Sequence, residues 1–285
     1  FDFDGTIYSR ADGGMKEAAK LILDIASRGV TPAIITARDA TLFNEFIPHI
    51  ESAYAACEDI TLPTVFFGVA NGARVVTYDY SGLTELRSHQ IHREAYAHTV
   101  NLYRRMVGAS ASQELVARLK ENTGLDWGNL ITTPYLEITR RFEGVWAERS
   151  KISLVLPDAV DKRAQVVERL KRDIHPALEV QWSHGSPLVD VTPRLKIDPK
   201  LDALKFIVNQ VGIGEKALYD PHGGVVTFGD SPDGNDAGLL SVANGFTNRP
   251  SATHPAFYIE GPEKVEVSPV QRVHRAAEFL TMRGV

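Results

Sequence analysis

Phe1-Asp2-Phe3-Asp4-Gly5-Thr6 places two carboxylates one residue apart at the end of a short apolar run. On a regular strand, side chains at i and i+2 point to the same face, so Asp2 and Asp4 are expected to share one. Acids held that close repel each other, and a divalent cation relieves the repulsion. Gly5 permits a sharp exit from the strand, and Thr6 can hydrogen-bond its own loop. These types suit a phosphoryl-transfer nucleophile with an acid/base beside it. Taken alone, they are equally a strand end with two solvated acids. Three further segments carry complementary chemistry. Ile34-Ile35-Thr36-Ala37-Arg38 ends an apolar run on a hydroxyl. Lys200-Leu201-Asp202-Ala203-Leu204 opens a helix with an ammonium, and Phe228-Gly229-Asp230-Ser231-Pro232-Asp233-Gly234-Asn235-Asp236 ends an apolar run in an acid-rich turn. Together they offer carboxylates for a hard cation, a hydroxyl for a phosphate oxygen, and an ammonium as counter-charge.

The elements that must position them alternate in type. Ala18, Leu21, Ile22 and Ile25 recur at helical spacing and predict a helix over residues 15–28, closed by Gly29. Residues 30–36 read as a short buried strand, and Asp39 as the N-cap of a helix running toward Pro48. Residues 64–78 read as two strands broken at the turn dipeptide Asn71-Gly72. The middle of the chain loses this rhythm. Helices are predicted over 91–107, 112–121 and 164–174, and strands over 135–142, 151–156 and 178–191, the last interrupted near His184. From about Asp198 the alternation returns, with a helix over 200–211, a strand over 225–228, a helix after Asn235 and a final helix over 270–282. The predicted architecture is α/β: a Rossmann-like parallel-sheet core in two parts, residues 1–85 and 191–285, with an inserted α+β domain over 86–190. In such a sheet the strand ends open onto one crevice, which would collect all four segments.

Bulk properties exclude several classes. A chain of 285 residues, 44% apolar and 24% charged, is an ordinary globular sequence. A net charge of -5 and pI near 6.0 leave no basic footprint for nucleic acid. Arg104-Arg105, Lys162-Arg163 and Lys171-Arg172 read as solvated helix faces. The one cysteine, Cys57, precludes an internal disulfide framework and favours a reducing, cytoplasmic setting; it reads as a packing residue. No apolar run reaches membrane-spanning length, and no signal peptide is expected. A buried strand is expected to carry several apolar residues ahead of its acid, so a short stretch preceding Phe1 is left open.

The order and types of the four segments resemble the haloacid dehalogenase superfamily of aspartate-nucleophile phosphatases. The narrower likeness is to its capped Cof-type and sucrose-phosphate phosphatase-like subgroup. Val69-Ala70-Asn71-Gly72-Ala73-Arg74-Val75 is similar to that subgroup's Asn-Gly-Ala turn; Lys151-Ile152-Ser153-Leu154 and Val189-Asp190-Val191-Thr192-Pro193 are similar to its cap and return strands. The resemblance covers nearly the whole chain. It implies a Mg2+-dependent phosphomonoesterase acting on a sugar phosphate or similar small phosphate ester. Asp2 would be the nucleophile and Asp4 the general acid/base, with Thr36 holding the phosphoryl group and Lys200 neutralising charge. Asp2, the Asp4 backbone carbonyl and Asp230 would bind the metal. Arg38, Asn71 and Asn235 would serve the substrate or its loop. Lys196 rivals Lys200, and Asp233 rivals Asp236 as the second acid of the turn. His184, Lys151, Trp146 and Trp182 are lesser candidates for sugar contact. A sugar phosphomutase and a catalytically silent ligand-binding protein on the same fold are the alternatives; oligomeric state is left unassigned.

Overall fold

The computed structural model describes residues 1–8, 14–56, 62–107, 150–157, 159–182, 186–247 and 257–258. The chain divides into two compact units, Phe1–Arg87 with Ile197–Val285, and Ser88–Lys196. The expected core helix over 270–282, cap helix over 112–121 and cap strand over 135–142, with Cys57, Trp146 and His184, lie outside the described residues.

The first unit is built on β1 (Ala33–Ile35), β2 (Val65–Val69), β3 (Arg74–Asp79) and β4 (Gly82–Ser88), which lie side by side in that order. β1 and β2 run parallel, whereas β3 returns antiparallel to β2. Ala70, Asn71 and Gly72 all take positive φ to make that return (54°, 57° and 84°). A second parallel sheet holds β8 (Thr227–Gly229), β9 (Gly245–Thr247) and β10 (Phe257–Tyr258). The first residues of the chain join the two. Phe1 N donates to Ala33 O (2.8 Å), Ile35 N donates to Phe1 O (2.7 Å), and Asp2 N donates to Phe228 O (2.8 Å). The sequence-predicted parallel sheet is thus present around the N-terminal acids, and the layer becomes antiparallel only at its β3–β4 edge.

Alternation along β2 explains the covering layers. Phe67 meets Phe43 edge-on at 5.5 Å and Phe46 at 6.4 Å, both on α2 (Thr41–Ala55), which packs beside α1 (Gly14–Ser27). Its neighbour Phe66 points the other way, into a cluster with Ile35, Leu204 and Ile207. Leu204 and Ile207 belong to α5 (Pro199–Gln210). Helices therefore cover both faces. Contrary to expectation, α2 runs through Pro48 to Ala55. An interior proline costs about 3 kcal/mol, while each buried phenylalanine contributes roughly 1.5–3 kcal/mol. Phe43 and Phe46 are both buried on this helix, so packing outweighs the lost hydrogen bond.

The second unit contains α3 (Arg93–Val107), β5 (Ile152–Val155), α4 (Val160–Asp173), β6 (Leu178–Gln181) and β7 (Leu188–Pro193). β7 lies between β5 and β6, antiparallel to both. One sheet face gives Ile152, Leu154, Leu178, Val189 and Val191 to a core shared with Tyr96 and Tyr103 of α3 and Val167 and Leu170 of α4. Because β7 continues to Pro193, paired with Leu178, this unit reaches past residue 190. β4 and β9 carry no sequence signal that the expectations captured. β4 alternates only weakly and is polar at Glu85 and Arg87, as an edge strand tends to be; β9 has 3 residues.

Candidate active site

Asp2 is fixed by its backbone. Its N–H pairs with Phe228 O of β8 while the preceding carbonyl pairs with Ile35 of β1, and the residue is 4% exposed. The expected shared strand face for Asp2 and Asp4 does not form, because the chain is already turning at Phe3. The Phe3 carbonyl accepts from Ile7 N (3.1 Å) and Tyr8 N (2.9 Å), closing a turn that sends Asp4 outward. There Arg38 holds it with two parallel bonds, Nε to Oδ2 (2.8 Å) and a terminal nitrogen to Oδ1 (2.7 Å). A further guanidinium nitrogen donates to Glu45 (2.8 Å), and the group lies over the Phe3 and Tyr8 rings at 5.2 and 4.9 Å. Burial alone would lower the Arg38 pKa, but the Asp4 hydrogen bonds and charge outweigh it and raise it. Glu45 and Tyr8 were not legible as partners, since nothing in their spacing marks them. Thr6 departs from expectation: its N–H reaches Phe3 O (3.3 Å), but its buried hydroxyl finds no hydrogen-bond partner among the described residues.

Gly5 brings the turn against the acid from the far end of the chain. Its φ is +77°, and a Cβ there would stand 2.8 Å from the Asp230 carboxyl carbon. A side chain would both strain the turn and displace Asp230.

Lys200 completes the convergence. Pro199 occupies the first turn of α5, and the Asp198 carboxylate caps it by accepting from Leu201 N (3.0 Å). Lys200 is 1% exposed, and its Nζ donates to Asp2 Oδ1 (2.7 Å) and Asp236 Oδ1 (2.5 Å). The other Asp236 oxygen accepts from the backbone N–H of Asp230 (3.1 Å) and Ser231 (3.0 Å), so this acid also shapes the turn carrying Asp230. Burial pushes the Asp2 carboxyl up to about 7; Lys200 opposes the rise, and Asp236 and Asp230 reinforce it. Burial would lower the Lys200 ammonium, but the charges of Asp2 and Asp236 hold it above its ordinary value. One ammonium thus faces an excess of acid.

The hydroxyl loop is laced to its neighbour. Thr36 Oγ1 accepts from Arg38 N (3.1 Å), Asn71 N donates to Thr36 O (2.9 Å), and Ala70 N donates to Arg38 O (2.6 Å). Thr36 and Asn71 are each 1% exposed. Gly72 then seats this turn on α5, since a Cβ there would lie 2.6 Å from Pro199 O. Asp39 acts one position earlier than expected, accepting from Thr41 N (2.9 Å) while Ala40 occupies the cap position of α2.

Of the alternatives left by the sequence, Lys196 is exposed whereas Lys200 is buried between two acids. Asp233 is exposed whereas Asp236 is fully buried. Asn235 is half-buried in the same turn. In the second unit, Lys151 pairs with Asp190 (3.2 Å), whose other oxygen accepts from Ser153 Oγ (2.7 Å). Trp182 Nε1 donates to Ser186 O (2.9 Å).

Asp2, Asp230 and Asp236 each bring a carboxylate oxygen within 4.8 Å of the others. The hard oxygen donors and the surplus of acid over ammonium fit a divalent cation such as Mg2+. Asp4 is not among these carboxylates; its side chain is committed to Arg38. By contrast, an apolar cavity of about 330 Å3 lies at the opposite ends of β1 and β8, lined by Phe1, Leu21, Ile25, Ile207, Val208 and Val225, with none of these acids in its wall.

No protein-family model matches the sequence, and no curated protein matches it either. Solved structures do share its fold. A haloacid dehalogenase-like hydrolase from Bacteroides thetaiotaomicron superposes with a TM-score of 0.55 at 12% identity, over 86% of this chain and 85% of that one. A sugar phosphatase of haloacid dehalogenase subclass IIB gives 0.54 at 14% identity, over 99% of this chain and 98% of the other. A haloacid dehalogenase-like hydrolase from B. subtilis gives 0.51 at 14% identity, over 86% and 87%. The chain has the haloacid dehalogenase fold, an α/β core with parallel strands around the site. Among the described residues, no helix is long and apolar enough to cross a membrane.

Proposed function

We propose that the protein is a Mg2+-dependent phosphomonoester hydrolase acting on a sugar phosphate or similar small phosphate ester. The observation that carries this is the buried junction of Asp2, Lys200 and Asp236 beside Asp230. A lysine with no exposed role, fixed between two acids, is the arrangement an aspartate nucleophile needs to meet an anionic ester. Asp2 attacks phosphorus as the ester P–O bond breaks, giving an aspartyl-phosphate. Asp4 gives its proton to the departing alkoxide. It then takes a proton from water, which attacks the same phosphorus and returns Asp2 as carboxylate with inorganic phosphate. Before the first transfer the Arg38 pair must loosen and Asp4 take up a proton from solvent as the ester binds; after the second, Asp4 releases that proton and pairs again as a carboxylate with Arg38, which orients it between turnovers. Thr36 donates to a phosphoryl oxygen, and Lys200 stabilises charge on the transferring group. Asp2, Asp230 and the Asp4 carbonyl would hold Mg2+, which when bound supplies charge neutralisation for the phosphoryl oxygens.

Phosphate release from a panel of sugar phosphates and p-nitrophenyl phosphate, with Mg2+ or with chelator, tests the assignment. Metal-dependent release, lost in Asp2→Asn with the fold retained and a metal-free melting temperature no lower than the wild type's, is expected. No release from any ester, or an Asp2→Asn variant that still turns over, refutes it. A requirement for a sugar bisphosphate activator would point to the mutase alternative.

A further inference from the structure

Asp198 stands between the two elements that deliver the buried ion pair. Its carboxylate caps α5 by accepting from Leu201 N at 3.0 Å, one residue beyond Lys200. On its other side it packs against Gly238 of α6 (Ala237–Leu240), the short helix that follows Asp236 directly. A Cβ on Gly238 would overlap the Asp198 carboxyl group outright, with Oδ1, Cγ and Cβ of Asp198 as its nearest neighbours. The carboxylate is therefore wedged, held by a helix start on one side and by bare backbone on the other. Its charge also faces Lys200 and Asp236, the two partners of that ion pair.

The geometry points to Asp198 as a positioning residue for Lys200. A lysine side chain has four methylene links, and its ammonium meets both Asp2 and Asp236 only if the first turn of α5 starts at a fixed place relative to α6. Backbone contacts alone leave that start free to fray, because the first N–H groups of a helix lack partners within it. The Asp198 cap removes this freedom, and the Gly238 contact ties the cap to the segment bearing Asp236. Small displacements at such a junction weigh heavily on turnover. No motif in the sequence marks Asp198, which lies in the unusually long stretch between Pro193 and Lys200.

This inference rests on the proposed hydrolysis, and its test separates the two. With p-nitrophenyl phosphate and saturating Mg2+, Asp198→Ala is expected to lower kcat by roughly tenfold to a hundredfold, with KM within about twofold. Asp198→Asn, which can still accept from Leu201 N, recovers most of the loss. Gly238→Ala, pressing on the carboxylate from the other side, reproduces the Asp198→Ala defect. The double variant is no worse than the poorer single one, because both break one junction. Amide exchange at Leu201, read by mass spectrometry, rises in Asp198→Ala and Gly238→Ala and not in Asp198→Asn. Unchanged kcat in Asp198→Ala, equal losses for Ala and Asn, or losses that multiply in the double variant overturn the assignment. If the wild-type protein hydrolyses nothing, the proposed function fails while the exchange measurements still decide whether Asp198 and Gly238 form one junction.

Discussion

At the scale of single residues, the sharpest claims concern Asp4 and Lys200. Asp4 is partly exposed and gripped by Arg38, whereas Asp2 is buried against Lys200, so the two acids of one short motif live in different environments. Asp4→Asn is expected to retain formation of the aspartyl-phosphate from esters with good leaving groups and to stall on alkyl phosphates. Single-turnover kinetics with p-nitrophenyl and sugar phosphates measure the ratio, and equal loss on both would remove Asp4 from the acid role. Lys200→Met should abolish turnover and also destabilise the fold. Removing one partner of a buried pair costs about 3–5 kcal/mol, because the acids left behind have no counter-charge. Urea melts without metal should show this loss, and it should shrink as pH falls toward 7, because without the ammonium the Asp2 carboxyl takes up a proton above the value of about 7 that it has beside Lys200. These residues were legible because chemistry restricts their types. Lys200 over Lys196, and Asp236 over Asp233, were not decidable from spacing; burial separates each pair.

At the scale of elements, the turns that follow β1, β2 and β8 do the positioning. The run from Ala70 to Gly72 holds three consecutive residues at positive φ and lies on the start of α5. Gly72→Val should destabilise the protein by about 1–3 kcal/mol from backbone strain alone. It should also lower kcat through the displaced lysine helix, which a thermal melt paired with steady-state kinetics would show. The Asn-Gly signal for this turn was readable in the sequence, as were α1, β1 and α5, because apolar periodicity and turn chemistry agree there. Helix α2 passing through Pro48 was not, since the phenylalanines that overrule the proline act only once they are packed against Phe67. Asp4 leaving the strand was likewise hidden, because the turn at Phe3 depends on a backbone carbonyl that no side-chain pattern reports.

At the scale of the whole molecule, acid concentrated at one site links stability to pH and to metal. Asp2 is held at about 7 in the folded protein, against an ordinary 3.8. Between these values the folded state binds more protons than the unfolded one, so metal-free stability is present at low pH and declines as pH rises toward 7. A cation bound only by the folded state offsets that decline. The melting-temperature difference between Mg2+ and chelator is therefore expected to widen from pH 4 to pH 7; a difference that is flat or narrows would contradict the carboxylate assignment. Another consequence follows from the 198 positions that separate Asp2 from Lys200 along the chain. On the ribosome, at about 5–20 residues per second, the first acid is made roughly 10–40 s before its buried counter-ion. Until then the nascent chain holds β1 and β2 but not Lys200, so the buried ion pair can close only after that residue has been added.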